Sequence, residues 1–144
     1  MSTISQVLGR KGCTILAIDA DATLHAAAQV MAKHGVGSLA VRSGDAIIGI
    51  LSERDVILRL ASVAGAAIAA PVREAMHTLQ EADWDDDIRL AMTLMTNRQM
   101  RHLLVRREGA LVGIVSIGDL VKATIDEQEG AIATLQQYIT SQPA

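Results

Sequence analysis

Residues 37–57, GSLAVRSGDAIIGILSERDVI, and residues 101–121, RHLLVRREGALVGIVSIGDLV, are one pattern written twice. They align without a gap at a constant offset of 64 residues. The offset pairs Leu39 with Leu103, Val41 with Val105, Arg42 with Arg106, Ala46 with Ala110, Gly49 with Gly113, Ile50 with Ile114, Ser52 with Ser116 and Asp55 with Asp119. The match extends upstream through Asp21/Asp85, Leu24/Ile88, Ala27/Ala91 and Met31/Met95. Self-similarity of this length marks one supersecondary unit used twice. Two units that each carry a half-exposed apolar face are expected to close on one another about a pseudo-two-fold axis. A site between them then comes in pairs.

Periodicity supplies the elements of each unit. Ile4 to Leu8 reads as a short helix capped by Ser2 or Thr3, and Thr14 to Ile18 as a short buried strand. Thr23 is a good N-cap, Leu24, Ala27, Ala28 and Met31 form one helical face, and Gly35 sits where a left-handed C-cap ends the helix. Ser38 to Arg42 and Ala46 to Leu51 are predicted as a hairpin turning at Ser43-Gly44-Asp45. Ser52 opens a second helix with Val56, Ile57 and Leu60 on its inner face. The second copy repeats this with Ile88, Ala91, Met92 and Met95, then strands Arg101–Arg106 and Ala110–Val115 around Arg107-Glu108-Gly109. Its last helix starts at Ser116 and runs through Gln128, or resumes after Gly130 as far as Tyr138. The run from Ala61 to Val72 reads as a flexible connection. The expected fold is α+β and sandwich-like, two β-α-β-β-α repeats, with residues 3–66 forming the first half and 67–140 the second.

Half of the 144 residues are apolar and 20% are charged, which suits a folded domain. Trp84 and Tyr138 are the aromatic residues, so the core is built from Ala, Val, Ile, Leu and Met. The same scarcity argues against single-stranded nucleic-acid binding, which uses aromatic stacking. A net charge of −3 offers no global field for DNA or an anionic membrane, although Arg98, Arg101, Arg106 and Arg107 fall close together. With Cys13 alone there is no internal disulfide, and with no signal pattern or membrane-length apolar run the expected location is the cytoplasm.

Both hairpins lead into Gly-apolar-apolar-Ser-x-x-Asp: Gly49-Ile50-Leu51-Ser52-Glu53-Arg54-Asp55 and Gly113-Ile114-Val115-Ser116-Ile117-Gly118-Asp119. A Ser three residues before an acid is a capping box, and that alone accounts for the pair. It does not account for the glycine or for the strand that runs straight into the box. The alternative is a ligand site. The glycine lets a ligand lie against backbone, the Ser hydroxyl and free helix amides reach a ribose or phosphate oxygen, and the carboxylate accepts ribose hydroxyls. That reading predicts a nucleoside, with any phosphate lying toward cationic side chains.

The repeat order, the doubled signature and the strings SERDV, RHLLV and VGIVSIGDLVKA resemble a tandem pair of cystathionine-β-synthase (CBS) domains, especially the stand-alone bacterial CBS-pair proteins. The resemblance covers about residues 3–140. It implies a module that binds AMP, ADP, ATP, NAD or S-adenosylmethionine between its repeats, commonly dimerises, and senses metabolic state, with AMP the foremost ligand and no metal required. Carried over, Asp55 and Asp119 hold ribose hydroxyls, and Ser52 and Ser116 lie by the ribose or α-phosphate. Arg54, Arg101 and His102 meet phosphates, with Lys122 in reach. Adenine slots among Ile15, Leu16, Ala17, Leu39 and Ile50 in one cleft and among Leu79, Leu103 and Ile114 in the other. Backbone near Thr14 or Met76 reads its edge. Leu16-Ala17 replaces an aromatic-Ser pair of close relatives, and Gly118 replaces Arg54, so the two clefts are expected to differ.

The remaining candidates read as structure. His25, His34 and His77 show no metal-ligand spacing, the methionines suit packing, and Asp83-Trp84-Asp85-Asp86-Asp87 suits an acidic turn before a helix. No nucleophile elbow, Cys/His pair, phosphate loop or helix-turn-helix emerges, so the expectation is a non-enzymatic nucleotide sensor with an unknown protein target. The alternatives are an adaptor that dimerises with vestigial clefts, its contact carried by the apolar helices and Ala131 to Tyr138, and, ranked low, a nucleic-acid binder using the four arginines.

Overall fold

A computed structural model of the chain describes residues 2–12, 15–62, 66–78 and 80–141. The sequence predictions at Thr14, Leu79 and Cys13 lie outside them. Helix α1 (Ile4–Lys11) precedes β1 (Ala17–Asp19), α2 (Leu24–His34), β2 (Ser38–Ser43), β3 (Ala46–Ser52) and α3 (Glu53–Ser62). The second repeat follows as β4 (His77–Thr78), β5 (Glu81–Asp83), α4 (Ile88–Arg98), β6 (His102–Arg107), β7 (Ala110–Ser116) and α5 (Ile117–Ser141). One sheet has the order β1-β2-β3-β4 and the other β5-β6-β7. In both, a short strand runs parallel to the first hairpin strand, and the hairpin is bulged at equivalent places, Val41/Arg42 and Val105/Arg106.

Local chemistry sets the boundaries. The Thr23 hydroxyl accepts from the Ala26 amide at 3.0 Å, and Gly35 stops α2 in the left-handed conformation. Asp87 caps α4 by accepting from the Arg89 amide at 2.8 Å. The second hairpin turns through Glu108 and Gly109, both at positive φ. Strand alternation then separates two faces. Leu39, Val41 and Leu51 pack under the helices of the first repeat with Leu24, Ala27 and Met31, and Leu103, Val105 and Val115 do so in the second with Ile88, Ala91 and Met95. The opposite faces meet each other through Ala40, Ile50 and Leu104, flanked by Ile15, Ala17, Ile47, Leu111 and Ile114. This sheet-on-sheet contact is the predicted closure of the two units.

Packing also crosses the order of the chain. Ile4, Val7 and Leu8 of α1 belong to the core of the second repeat, and the Ile4 and Ser5 amides donate to the Asp86 and Trp84 carbonyls. In return, the segment between the repeats lies on the first: the Leu24 amide donates to Ala70, and the Val72 and Arg73 amides donate to Ala22 and Ala20. Each unit is therefore sealed by the segment that precedes the other. Burying Ile4 and Leu8 completely is worth about 1.5–3 kcal/mol each.

Four sequence expectations change. The stretch read as a flexible connection is partly ordered: α3 reaches Ser62, short 3-10 turns occupy Ala66–Ala69 and Val72–Glu74, and Ala67 and Val72 are buried. The strand drawn from Thr14 starts at Ala17. The last helix runs unbroken through Gly130 because one helical glycine costs only about 1 kcal/mol. The face assigned inward on α3 is only partly so: Val56 packs against the first core, but Ile57 is 63% and Leu60 46% exposed.

Candidate functional site

The Ser-x-x-Asp element forms a capping box in both repeats. The Ser52 amide donates to Asp55 Oδ2 at 2.8 Å and the Asp55 amide to Ser52 Oγ at 3.2 Å; for Ser116 and Asp119 the distances are 2.8 and 3.1 Å. The box fixes each carboxylate at the first turn of a helix that starts where a hairpin strand ends. Next to each box the helix is tied to the start of that hairpin, with Glu53 N donating to Gly37 O at 3.0 Å and Ile117 N to Arg101 O at 2.8 Å. Capping and ligand binding are thus compatible uses of one geometry.

The surroundings of the two acids differ. Asp119 and Ser116 line a cleft of about 450 Å³ together with Arg101, His102, Ile114, Ile117, Leu16, Gly35, Val36, Gly37, Ser38 and Glu53. Both repeats contribute walls, and the volume lies within the usual range of small-molecule sites. Six predicted residues meet there: Leu16, Arg101, His102, Ile114, Ser116 and Asp119. Asp55 instead receives His77 Nδ1 at 2.8 Å on Oδ2, the oxygen that also accepts from the Ser52 amide and hydroxyl. Its side chain is only 16% exposed. Burial pushes the Asp55 carboxyl up, but His77 and Ser52 outweigh it and hold it below the ordinary carboxylate value. The far ring nitrogen, His77 Nε2, is buried with no hydrogen-bond partner among the described residues.

Other predicted residues fall elsewhere. Leu39 and Leu103 are fully buried under the helices, and Ile50 is fully buried between the sheets, so none of the three walls a cleft for adenine. Leu39 pairs with Leu51 and Ile50 with Ala40, which puts Leu39 and Ile50 on opposite faces. Ile15 and Ala17 are partly buried at the sheet contact, and Met76 packs against the first core. Arg54 lines an adjoining groove with Gln99 and Met100, which shares Arg101 and Ile117 with the Asp119 cleft. Lys122 lines a smaller cavity of about 240 Å³ with Arg10, Asp119 and Asp126.

The two signature glycines also serve the chain itself. A Cβ on Gly49 would lie 2.6 Å from the His77 carbonyl oxygen, and one on Gly113 would lie 3.0 Å from both Leu8 methyls. They make room for β4 and α1. His77, set aside in the sequence as scattered, is the residue missed by that reading. Its role follows from β4 pairing with the first repeat's hairpin, which periodicity does not reveal. Of the four clustered arginines, Arg106 is paired with Glu81 at 2.8 Å and Arg107 lies 5.3 Å over the Trp84 ring. Among the described residues no group of three or more His, Cys, Asp or Glu side chains is placed to hold a metal ion, and no helix is long and apolar enough to cross a membrane.

Comparison with known proteins agrees with this architecture. The CBS domain protein YhcV of Bacillus subtilis is 32% identical over 136 residues, covering 93% of this chain and 94% of its own. A solved putative signal-transduction protein with CBS domains from Burkholderia ambifaria superposes with a TM-score of 0.83 at 35% identity, over 88% of this chain and 96% of that one. The CBS domain protein PAE2072 of Pyrobaculum aerophilum, solved in complex with AMP, shares the fold at a TM-score of 0.70 and 24% identity, over 82% and 89% of the two chains. Residues 13–62 and 85–126 each match the CBS domain, so the chain belongs to the CBS-domain family as a tandem pair.

Proposed function

We propose that this chain is a regulatory module that binds one adenine nucleotide, AMP foremost, in the cleft at Asp119. The observation that carries the reading is the meeting of Ser116, Asp119, Arg101 and His102 around one cleft walled by both repeats. A carboxylate at a helix start suits two ribose hydroxyls, and the guanidinium and imidazole suit a phosphate. Leu16, Ile114 and Ile117 offer apolar contact to a base. PAE2072, which has the same fold, is complexed with AMP, which supports the ligand class. ADP, ATP, NAD and S-adenosylmethionine are the competing ligands. The output is conformational, without catalysis: the ligand favours one packing of the repeats, acting on a protein target in the cytoplasm, with two chains paired as a homodimer.

A ligand at about 100 times its dissociation constant stabilises the folded state by roughly 2.7 kcal/mol. AMP is therefore expected to raise the melting temperature by roughly 5–10 °C for a chain of this size, and Asp119→Asn to abolish the rise. No shift with any of the five ligands overturns the reading. The adaptor alternative draws on the exposed apolar residues of α3 and α5 and on the closed surroundings of Asp55. It is favoured if sedimentation shows a dimer indifferent to all five.

A further inference from the structure

Among the described residues lining the Asp119 cleft, the basic side chains, Arg101 and His102, both come from the second repeat. His102 begins β6 and Arg101 precedes it, and their repeat-related counterparts across the cleft are Gly37 and Ser38, which carry no charge. The first repeat contributes an acid instead. Glu53 follows Ser52 directly, and its amide is fastened to the Gly37 carbonyl at 3.0 Å. A methyl group built on Gly37 would lie 3.1 Å from Glu53 Oε1 and 3.8 Å from His102 Nε2, so the carboxylate and the imidazole flank the same glycine. The residue in the equivalent place of the second repeat is Ile117, which lines the same cleft without charge. Arg54, the cation one position on, does not line this cleft but the adjoining groove, which shares Arg101 and Ile117 with it.

We infer that Glu53 sets the number of phosphates the cleft accepts, admitting a nucleoside monophosphate and rejecting a triphosphate. The inference rests on the nucleotide reading of the Asp119 cleft. A monophosphate brings about two negative charges to Arg101 and His102. Each further phosphate adds negative charge, while the next charged group on this wall is a carboxylate. Discrimination by a repulsive element is a common way to reject a ligand that shares every attractive contact with the preferred one.

The test is isothermal titration of AMP and ATP, with divalent ions chelated, into wild type, Glu53→Gln and Glu53→Arg. The expected readout is an ATP-to-AMP ratio of dissociation constants of about tenfold or more in wild type. It should fall about tenfold in Glu53→Gln and further in Glu53→Arg. Both variants alter an exposed side chain, and thermal unfolding without ligand confirms their fold. A ratio unchanged within about twofold in both variants, with AMP still bound, overturns the role of Glu53 and leaves the nucleotide reading standing. A wild type that prefers ATP does the same. If no adenylate binds wild type or either variant, the nucleotide reading falls, and this inference with it. A repeat with magnesium supplies one further outcome: ATP binding that depends on both magnesium and Glu53 places the carboxylate on a nucleotide-borne cation and overturns the repulsive role.

Discussion

At the scale of single residues, two identical signatures have acquired different neighbours. Asp55 and Asp119 share a capping box to within 0.1 Å in either hydrogen bond, yet His77 holds Asp55 while Asp119 lines the cleft. Because the folded-state pKa of Asp55 is lowered, its ionised form stabilises the fold. That contribution is present above the unfolded carboxylate value of about 3.9 and is lost as pH falls through the lower, folded-state value. Asp55→Asn is therefore expected to cost on the order of 1–3 kcal/mol near neutral pH, with the deficit shrinking below about pH 4. Denaturant unfolding of both proteins at pH 7 and at acid pH checks the sign. Ser116 and Asp119 were legible because each has an identical partner 64 residues upstream, whereas Arg101 and His102, aligned with Gly37 and Ser38, came from the family resemblance. The apolar slot was not legible as drawn, because it placed Leu39 beside Ile50, residues that alternation assigns to opposite faces. Glu53 has no mark in the sequence beyond its place after Ser52, and the role proposed for it comes from its carboxylate and His102 flanking Gly37.

At the scale of elements, the repeats are joined by exchange of the segments that precede them. Helix α1 fills the second core and the segment from Ala66 to Met76 covers the first. The glycines at those contacts report how rigid each neighbour is. Gly49 faces backbone, the His77 carbonyl, so Gly49→Ala must displace β4 and is expected to cost about 2 kcal/mol or more. Gly113 faces Leu8 methyls that can turn aside, so Gly113→Ala is expected to cost less. Paired urea titrations rank the two. The exchange was hidden in the sequence because periodicity assigns a helix its face but not its partner. Helix α5 raises a related point. Residues 125–140 are exposed throughout, and Ile125, Ile132 and Ile139 recur every seven residues with Leu135 between them. A seam of this spacing on a helix about 37 Å long suits the contact of the homodimer proposed above. Leu135→Asp is expected to convert a sedimenting dimer to monomer while leaving the far-ultraviolet spectrum nearly unchanged. A dimer that survives it removes α5 from the interface.

At the scale of the whole molecule, a pseudo-two-fold frame carries asymmetric chemistry. The frame was readable from the repeat alone: the hairpins, the α2 and α4 faces and the closure of the sheets through Ala40, Ile50 and Leu104 follow from it. What breaks the symmetry lies at unmatched positions, namely His77 on one side and Arg101, His102 and Glu53 on the other. On the proposed function, a module with one ligand cleft, at Asp119, has a single ligand equilibrium per chain with which to bias its packing. Its regulatory leverage is limited to the difference in affinity between the two packings. Calorimetric titration of AMP into the protein, with the number of sites as the readout, addresses this most directly. One site per chain is expected, abolished by Asp119→Asn and retained in Asp55→Asn. Two sites per chain, or a single site that Asp55→Asn removes and Asp119→Asn spares, would contradict it.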